Sequence, residues 1–285
     1  MPELPEVETV VRGLRLMLPG RRITGVRLGK TDFIDDPAAV ERELPGKTIT
    51  AVRRFGKFLL FDLDSPNGER ATPSLLVHLG MTGQLITSAP EAPIAPHTHV
   101  FLALDDGREL RYTDVRRFGR MAFLANGAHE TALGELGLDP LEATEEQFTE
   151  KLRGRRARIK GLLLDQRVLR GIGNIYADES LWRARIHPMR LAAKLSAREM
   201  RELYRAVQTV LNDAIRLRGS SVSDYVDAEG QRGGFQQRHR VYQRHGKRCV
   251  RCGATIRRAI VAGRSSHFCP RCQRAPRGRA TSCSA

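Results

Sequence analysis

The first 248 residues contain no cysteine, and all five cysteines of the chain lie beyond them. A disulfide framework spread through a small secreted domain is thereby excluded. No apolar run approaches the roughly 18–20 residues that a membrane-spanning helix needs, and the amino terminus lacks the charged-then-apolar pattern of a secretory signal. Acidic residues are in short supply. Forty-eight Lys+Arg face 32 Asp+Glu, giving a net charge of +16 and a pI near 10.5. These absences leave a soluble, intracellular chain whose partner is a polyanion. Charge alone does not say which, since a ribosomal or membrane-surface protein carries the same excess. Arginines concentrate in 238–279, whereas 130–150 is acidic.

The stretch Met1-Pro2-Glu3-Leu4-Pro5-Glu6 carries chemistry that the rest of the chain can serve. A small residue at position 2 allows removal of the initiator methionine, which would leave Pro2 with a secondary amine. An α-amino group titrates near roughly 7.7–8, so a sizeable fraction is an unprotonated nucleophile at neutral pH. Attack on a sugar C1′ gives an iminium directly. Glu3 and Glu6 are carboxylates within reach for proton transfer. The plainer account is a helix-entry proline with acids placed by the helix dipole, and only the remainder of the chain can overturn it.

From Pro5 the apolar positions Val7, Val10, Val11, Leu14 and Met17 or Leu18 follow helical spacing, and Pro19-Gly20 ends the run. Short β-rich segments follow at 22–29, 47–54, 57–63, 74–79, 98–104, 108–113 and 120–125, with a short helix or loop from Asp35 to Leu44. Turn signals such as Pro45-Gly46 and Asp105-Asp106-Gly107 separate them. This pattern predicts an antiparallel sandwich or barrel. Three places display more than a core needs: Arg53–Phe58, the Gly-flanked Met81 loop, and Asp114–Arg120 with Arg116 and Phe118 two residues apart. Met81 or Phe118 alone would read as core. Together, two apolar wedges and an arginine on loops suit the unstacking of a duplex. His97 and His99 can contact phosphate or serve structure.

In the second half, Thr144 with Gln147 forms a capping box for a helix to about Arg153. The basic cluster Arg155, Arg156, Arg158, Lys160 leads into an apolar helix over 159–166. Gly171-Ile172-Gly173-Asn174 then frees backbone to approach a phosphate at a helix N-terminus. This is a helix–turn–helix variant with Asn174 as a side-chain donor. Ser196 and Glu199 open a long helix to about Leu217. Residues 219–247 lack periodicity and are expected to form a mobile loop over the ligand. Last comes the strongest local signal. Cys249-x-x-Cys252, sixteen residues, then Cys269-x-x-Cys272 has the spacing of a closed, structural four-cysteine zinc site. Arg257, Arg258 and Arg264 ride between the pairs as phosphate ligands, and Cys283 is left without a role.

Six motifs stand in register with one family: Met1–Val10, Gly56-Lys57, His78–Gly83, Arg111–Gly119, Gly171–Ala177 and the four cysteines. Over roughly 1–274 the chain closely resembles bacterial formamidopyrimidine-DNA glycosylase, the base-excision repair enzyme for oxidised purines such as 8-oxoguanine. The resemblance implies an α+β fold in parts. An N-terminal helix and antiparallel β-sandwich domain would span 1–130. A helical helix–two-turn–helix domain with a lesion-sensing loop would span 131–235, and a C-terminal zinc-finger β-hairpin 236–274. A disordered tail, 275–285, would follow. It implies Pro2 as Schiff-base nucleophile, Glu3 as general acid, Lys57 for β-elimination and Arg264 for δ-elimination. Met81, Arg116 and Phe118 would fill the gap left by a flipped nucleotide. His97, Arg155 and Asn174 would also contact DNA, with Lys160 near the lesion. One structural Zn2+, a double-stranded DNA partner, a monomeric state and a cytoplasmic, nucleoid-associated location complete the expectation. Phe55 and Arg155 depart mildly from the family pattern. Two rivals remain: an endonuclease VIII type acting on oxidised pyrimidines, and a non-catalytic zinc-hairpin DNA binder.

Overall fold

A computed structural model describes residues 1–64, 72–125, 133–222 and 224–275. By internal packing these fall into two compact units, 1–136 with 212–237, and 137–211 with 238 onward.

In the first unit, helix α1 (Leu4–Met17) buries Leu4, Val7, Val10, Val11 and Leu14, each at most 1% exposed. At about 1.5–3 kcal/mol per buried side chain this stripe contributes on the order of 10 kcal/mol of gross stabilisation. It packs against β2 of two four-stranded antiparallel sheets. One sheet has the order β1 (Ile23–Leu28), β6 (Thr98–Leu104), β7 (Glu109–Thr113), β5 (Gln84–Ser88). The other runs β2 (Ile49–Phe55), β3 (Phe58–Leu63), β4 (Ser74–His78), β8 (Arg120–Leu124). A short helix α2 (Pro37–Glu43) opens at Asp36, whose carboxylate accepts from the Ala39 N–H at 3.0 Å. The predicted sandwich is therefore present, with one strand more than the sequence indicated. Strand β5 lies at a sheet edge and pairs only with β7. Its sequence, Gln84-Leu85-Ile86-Thr87-Ser88, has two adjacent apolar residues and no alternation to mark it as a strand.

The second unit contains α3 (Glu145–Leu152), α4 (Ile159–Leu164), α5 (Asn174–Arg183) and most of α6 (Ala197–Arg216). Both predicted capping boxes form: Gln147 N–H donates to Thr144 Oγ1 at 3.3 Å, and Glu199 N–H donates to Ser196 Oγ at 3.2 Å. Helix α4 stops at Leu164 rather than 166, because the Asp165 carboxylate turns back onto Arg167 N–H at 3.0 Å. Two acids on α5 face inward. Glu179 accepts from the backbone N–H groups of Arg240, Val241 and Tyr242, all at 2.9 Å. Asp178 accepts from His267 N–H at 2.8 Å. They fasten the chain on either side of the first cysteine pair, and between the two pairs β9 (Arg257–Val261) and β10 (Arg264–Phe268) form a hairpin.

By packing, residues 212–237 group with the first unit and the cysteine hairpin groups with the helices. The 219–247 stretch has little regular structure, yet it is tied down. Ser220 N–H donates to Glu6 Oε1 at 2.7 Å, Tyr225 Oη donates to the Glu6 carbonyl at 3.2 Å, and Ala228 is fully buried in the α1 core. Side-chain and carbonyl bonds of this kind leave no periodic trace in a sequence. Cys283 and all of the expected tail beyond residue 275 lie outside the described residues.

Candidate active site and nucleic-acid interface

The head of α1 is built to hold its first residues still. Glu3 is the N-cap, and its N–H donates to Glu6 Oε2 at 2.8 Å. Pro2, Glu3 and Glu6 are buried, while Met1 is 49% exposed. Glu6 is thus committed to Glu3 on one oxygen and to Ser220 on the other. Its geometry is that of a clamp rather than of a second proton carrier. Lys57 stands in the same unit on the two-residue turn of the β2–β3 hairpin, whose last pair is Phe55↔Phe58. Gly56 supplies the positive φ of 61° that this turn requires.

Two loops of the first unit present the wedge candidates. Met81 is 37% and Phe118 58% exposed, and the Arg116 guanidinium sits 4.6 Å from the Phe118 ring centroid. Burial, with Lys57 and Arg120 alongside, pushes His78 down to about 4. The neutral ring accepts Gly80 N–H on Nδ1 at 3.1 Å and so anchors the start of the Met81 loop. His97 is exposed and adopts a left-handed φ of 65°, uncommon outside glycine. The loop before it is held by Arg111, which donates to the carbonyls of Ala89, Pro90, Ala92 and Pro93.

In the second unit, Ala262 (φ 49°) and Gly263 (φ 70°) make the hairpin turn, which leaves exposed Arg264 as the next residue at the tip. Asn174, first residue of α5, donates from Nδ2 to the Ser265 carbonyl at 2.9 Å. A cleft of about 620 Å³ is lined by Asn174, Tyr242, Arg258, Arg264 and His267 among others. Arg155 is exposed. Lys160, expected near the lesion, is buried in the second unit. Its side chain is 0% exposed, 2.6 Å from Asp178 Oδ1, and donates to Ser265 O at 3.0 Å and Ser266 Oγ at 2.7 Å. A buried ammonium needs such a set of partners, and they occupy it under the hairpin.

The four cysteine Sγ atoms lie within 4.8 Å of one another, with Cys249–Cys272 at 4.0 Å and Cys252–Cys269 at 3.4 Å. Zn–S bonds of about 2.3 Å in a tetrahedron place sulfurs roughly 3.8 Å apart, so the set fits one zinc with no open position. Burial raises the Cys249 thiol, but N–H donors from Arg251 and Cys252 outweigh it and bring it down to about 6. Burial and the neighbouring sulfurs push Cys272 up to about 12. Thiolates this close repel one another, and a divalent cation removes the conflict. The hairpin is a zinc finger with one structural metal site.

The described residues leave two roles that sequence reasoning had not assigned. Asp114 was visible only as part of a motif, and its partners Thr82 and Tyr112 gave no sign of sharing it. Asp178 and Glu179 looked like ordinary helix acids.

Fold and cysteine set place the chain in the class of DNA-binding proteins that join a β-sandwich to a helix–two-turn–helix unit and a zinc finger. Three family models match it: formamidopyrimidine-DNA glycosylase N-terminal domain over 1–121, formamidopyrimidine-DNA glycosylase H2TH domain over 136–226, and the zinc finger found in FPG and IleRS over 246–275. The chain belongs to the formamidopyrimidine-DNA glycosylase family. It is 46% identical to formamidopyrimidine-DNA glycosylase of Pelotomaculum thermopropionicum over 280 residues, covering 96% of this chain and 99% of that one. The Solibacter usitatus relative of the same name is 45% identical over 276 residues, with 96% and 100% covered. Among solved structures, Lactococcus lactis Fpg in complex with an abasic-site DNA superposes with a TM-score of 0.86 at 35% identity, covering 96% and 100%. A variant of that protein bound to Fapy-dG DNA matches equally well, at TM-score 0.86 and 35% identity over the same shares.

Proposed function

We propose that the chain excises oxidised purines, 8-oxoguanine and formamidopyrimidines, from duplex DNA and then cleaves the abasic strand. Removal of Met1 frees the secondary amine of Pro2, which attacks C1′ of the damaged nucleotide while Glu3 delivers a proton toward the departing base and the sugar ring oxygen. The C1′–N bond to the base breaks, the C1′–O4′ bond then opens with O4′ taking a proton, and an iminium forms between Pro2 and C1′. That cation acidifies the C2′ proton, and β- then δ-elimination release the 3′ and 5′ phosphates in turn, leaving a one-nucleotide gap. Lys57 assists the first elimination and Arg264 the second. Met81 and Phe118 wedge the stack, with Arg116 facing the orphaned base. His97, Arg155 and Asn174 bind phosphates. The zinc, when bound, supplies no chemistry to the reaction; the four cysteines fold the hairpin that presents Arg264. No helix among the described residues is long and apolar enough to cross a membrane. A genomic DNA substrate supports a cytoplasmic location, on the nucleoid.

The observation that carries this reading is the head of α1, where Pro2 precedes a buried N-cap glutamate fixed by Glu6. The test is borohydride trapping on a duplex with a single 8-oxoguanine opposite cytosine. A covalent adduct that disappears in Pro2→Gly is the expected result. An adduct formed only with an oxidised pyrimidine, a lesion in another Lactococcus lactis Fpg complex, would move the chain to the endonuclease VIII type. No adduct even with an abasic site would leave a binding protein without chemistry.

A further inference from the structure

One buried carboxyl group locks the Met81 and Phe118 loops together. Asp114 is 0% exposed. Its Oδ1 accepts from Thr82 Oγ1 at 2.5 Å and from Arg116 N–H at 3.3 Å. Its Oδ2 accepts from Gly119 N–H at 2.9 Å and from Tyr112 Oη at 3.2 Å. The Thr82 hydroxyl in turn accepts from Arg116 N–H at 3.1 Å, so the two loops share one bonded knot. The backbone of Asp114 reaches a further segment, its N–H donating to the His97 carbonyl at 3.0 Å. Among the described residues, every donor to the carboxyl group is a neutral hydroxyl or amide. A buried carboxyl group without a cationic donor is costly unless fully hydrogen-bonded, and here each oxygen takes two bonds.

The loops also meet backbone to backbone. Gly80 has a φ of +58°, and a Cβ there would fall 2.5 Å from Gly119 N and from Phe118 O. A Cβ on Gly119 would lie 2.8 Å from His78 O and 3.1 Å from Asp114 Oδ2. Burial, with Asp114 beside it, pushes the Tyr112 hydroxyl up, so it remains a donor.

We propose that Asp114 is a positioning residue for entry into the base stack, holding Met81, Arg116 and Phe118 as one preformed wedge before DNA arrives. This rests on the reading that those side chains enter the duplex. Preforming the wedge removes the ordering cost that two independent loops would carry at the moment of binding. The carboxylate is needed because its two oxygens together accept four donors. An amide of the same shape offers one accepting oxygen and turns N–H groups toward the other pair.

The test uses the full-length protein with Asp114→Asn, Thr82→Val and Thr82→Ser. Stack entry is followed by stopped-flow fluorescence of 2-aminopurine next to a tetrahydrofuran site, which involves no bond cleavage. Strand cleavage at an abasic site in single-stranded DNA serves as the comparison, since no stack has to be opened there. Asp114→Asn and Thr82→Val are expected to slow the 2-aminopurine phase about tenfold or more, in line with the cost of small misplacements. Single-strand cleavage should stay within about twofold, and Thr82→Ser should restore the fast phase because it keeps the hydroxyl. An unchanged 2-aminopurine phase in Thr82→Val would overturn the proposal. So would equal losses on both substrates, which mark a general folding defect. If Asp114→Asn fails to fold, Thr82→Val decides alone. A wild-type protein that opens the stack but excises nothing would sink the functional reading, while the 2-aminopurine comparison would still judge Asp114.

Discussion

Glu8 on the second turn of α1 holds Arg54 at the end of β2, Oε2 to Nε at 2.8 Å, with side chains only 11% and 4% exposed. Arg54 reaches on to the Gly56 carbonyl at 3.4 Å. The helix that presents Pro2 and Glu3 is thereby pinned to the turn that presents Lys57. Removing one member of a buried pair leaves the other uncompensated and costs roughly 3–5 kcal/mol, whereas an apolar replacement of both is often near neutral. Arg54→Met should therefore lower stability by about 2–4 kcal/mol in urea unfolding, the lower figure reflecting the second partner of Glu8, Arg12. The double variant Glu8→Leu/Arg54→Leu should recover much of that stability. Borohydride trapping should remain slow in both, because what the pair provides is register between the elements that carry the proposed nucleophile and lysine. If trapping recovered along with stability, the pair would be a packing device only.

Lys160 offers a test that separates a structural cation from a phosphate ligand. Each phosphate contact contributes close to one unit of slope in log K against log salt. Arg155→Gln or Arg264→Gln should reduce that slope by about one. Lys160→Met should weaken binding through a displaced hairpin but leave the slope unchanged, and should lower stability by about 3 kcal/mol or more, since it strands Asp178. A slope reduced by one unit in Lys160→Met would instead mark the lysine as a DNA contact.

The contrast between Lys160 and Arg155 shows where sequence reading stops. Both sit in one basic cluster, five residues apart, and nothing local distinguishes them. Whether a cation faces solvent depends on partners such as Asp178 and Ser266, which are remote in sequence and carry no periodic signal. Helix α1, both capping boxes and the four cysteines were legible because each is a local pattern with its own spacing. Strand β5 was lost because Gln84–Ser88 has only two apolar residues, Leu85 and Ile86, and they are adjacent, so no alternation registers. The tie from Glu6 to Ser220 and the Asp114 knot were illegible for the same reason as Asp178. They join segments through side-chain hydrogen bonds, and a sequence records only that the residues are polar.

Three histidines make stability depend on pH in one direction. Burial, with nearby cations, pushes His78, His187 and His239 each down from 6.5 to about 4. Between those values the unfolded chain binds more protons than the folded one, so stability rises with pH there. The full contribution is present above pH 6.5 and is lost as pH falls toward 4, up to about 3 kcal/mol per histidine. Urea unfolding at pH 7.5 and 5.0 should show the loss. Asparagine can mimic a ring Nδ1 acceptor, which binds Gly80 N–H in His78 and Met189 N–H at 3.2 Å in His187. His78→Asn and His187→Asn should therefore flatten the pH dependence while keeping the bond. An undiminished slope in both would place the dependence elsewhere, in the carboxylates.

The zinc finger has little core of its own. Around the cysteines, among the described residues, Trp182, Val241 and Ile256 are the non-cysteine members of the buried apolar cluster, and the Gln273 amide ties the second cysteine pair to the Ile186 carbonyl at 2.9 Å. Structural zinc contributes on the order of 10–16 kcal/mol in isolated finger peptides, far more than three side chains can replace. Elemental analysis should find one zinc per chain, and Cys252→Ser or a strong chelator should remove it. Arg264 sits at the tip of the hairpin that this metal folds, so duplex affinity should fall about tenfold or more with the metal, an effect the size of losing one or more phosphate contacts. The first unit contains none of the ligands, so Pro2 trapping on a single-stranded abasic site should survive metal loss. Affinity that persists without zinc would mean that the Trp182 cluster and the Glu179 and Asp178 bonds suffice to shape the hairpin. The metal would then protect the thiols rather than position Arg264.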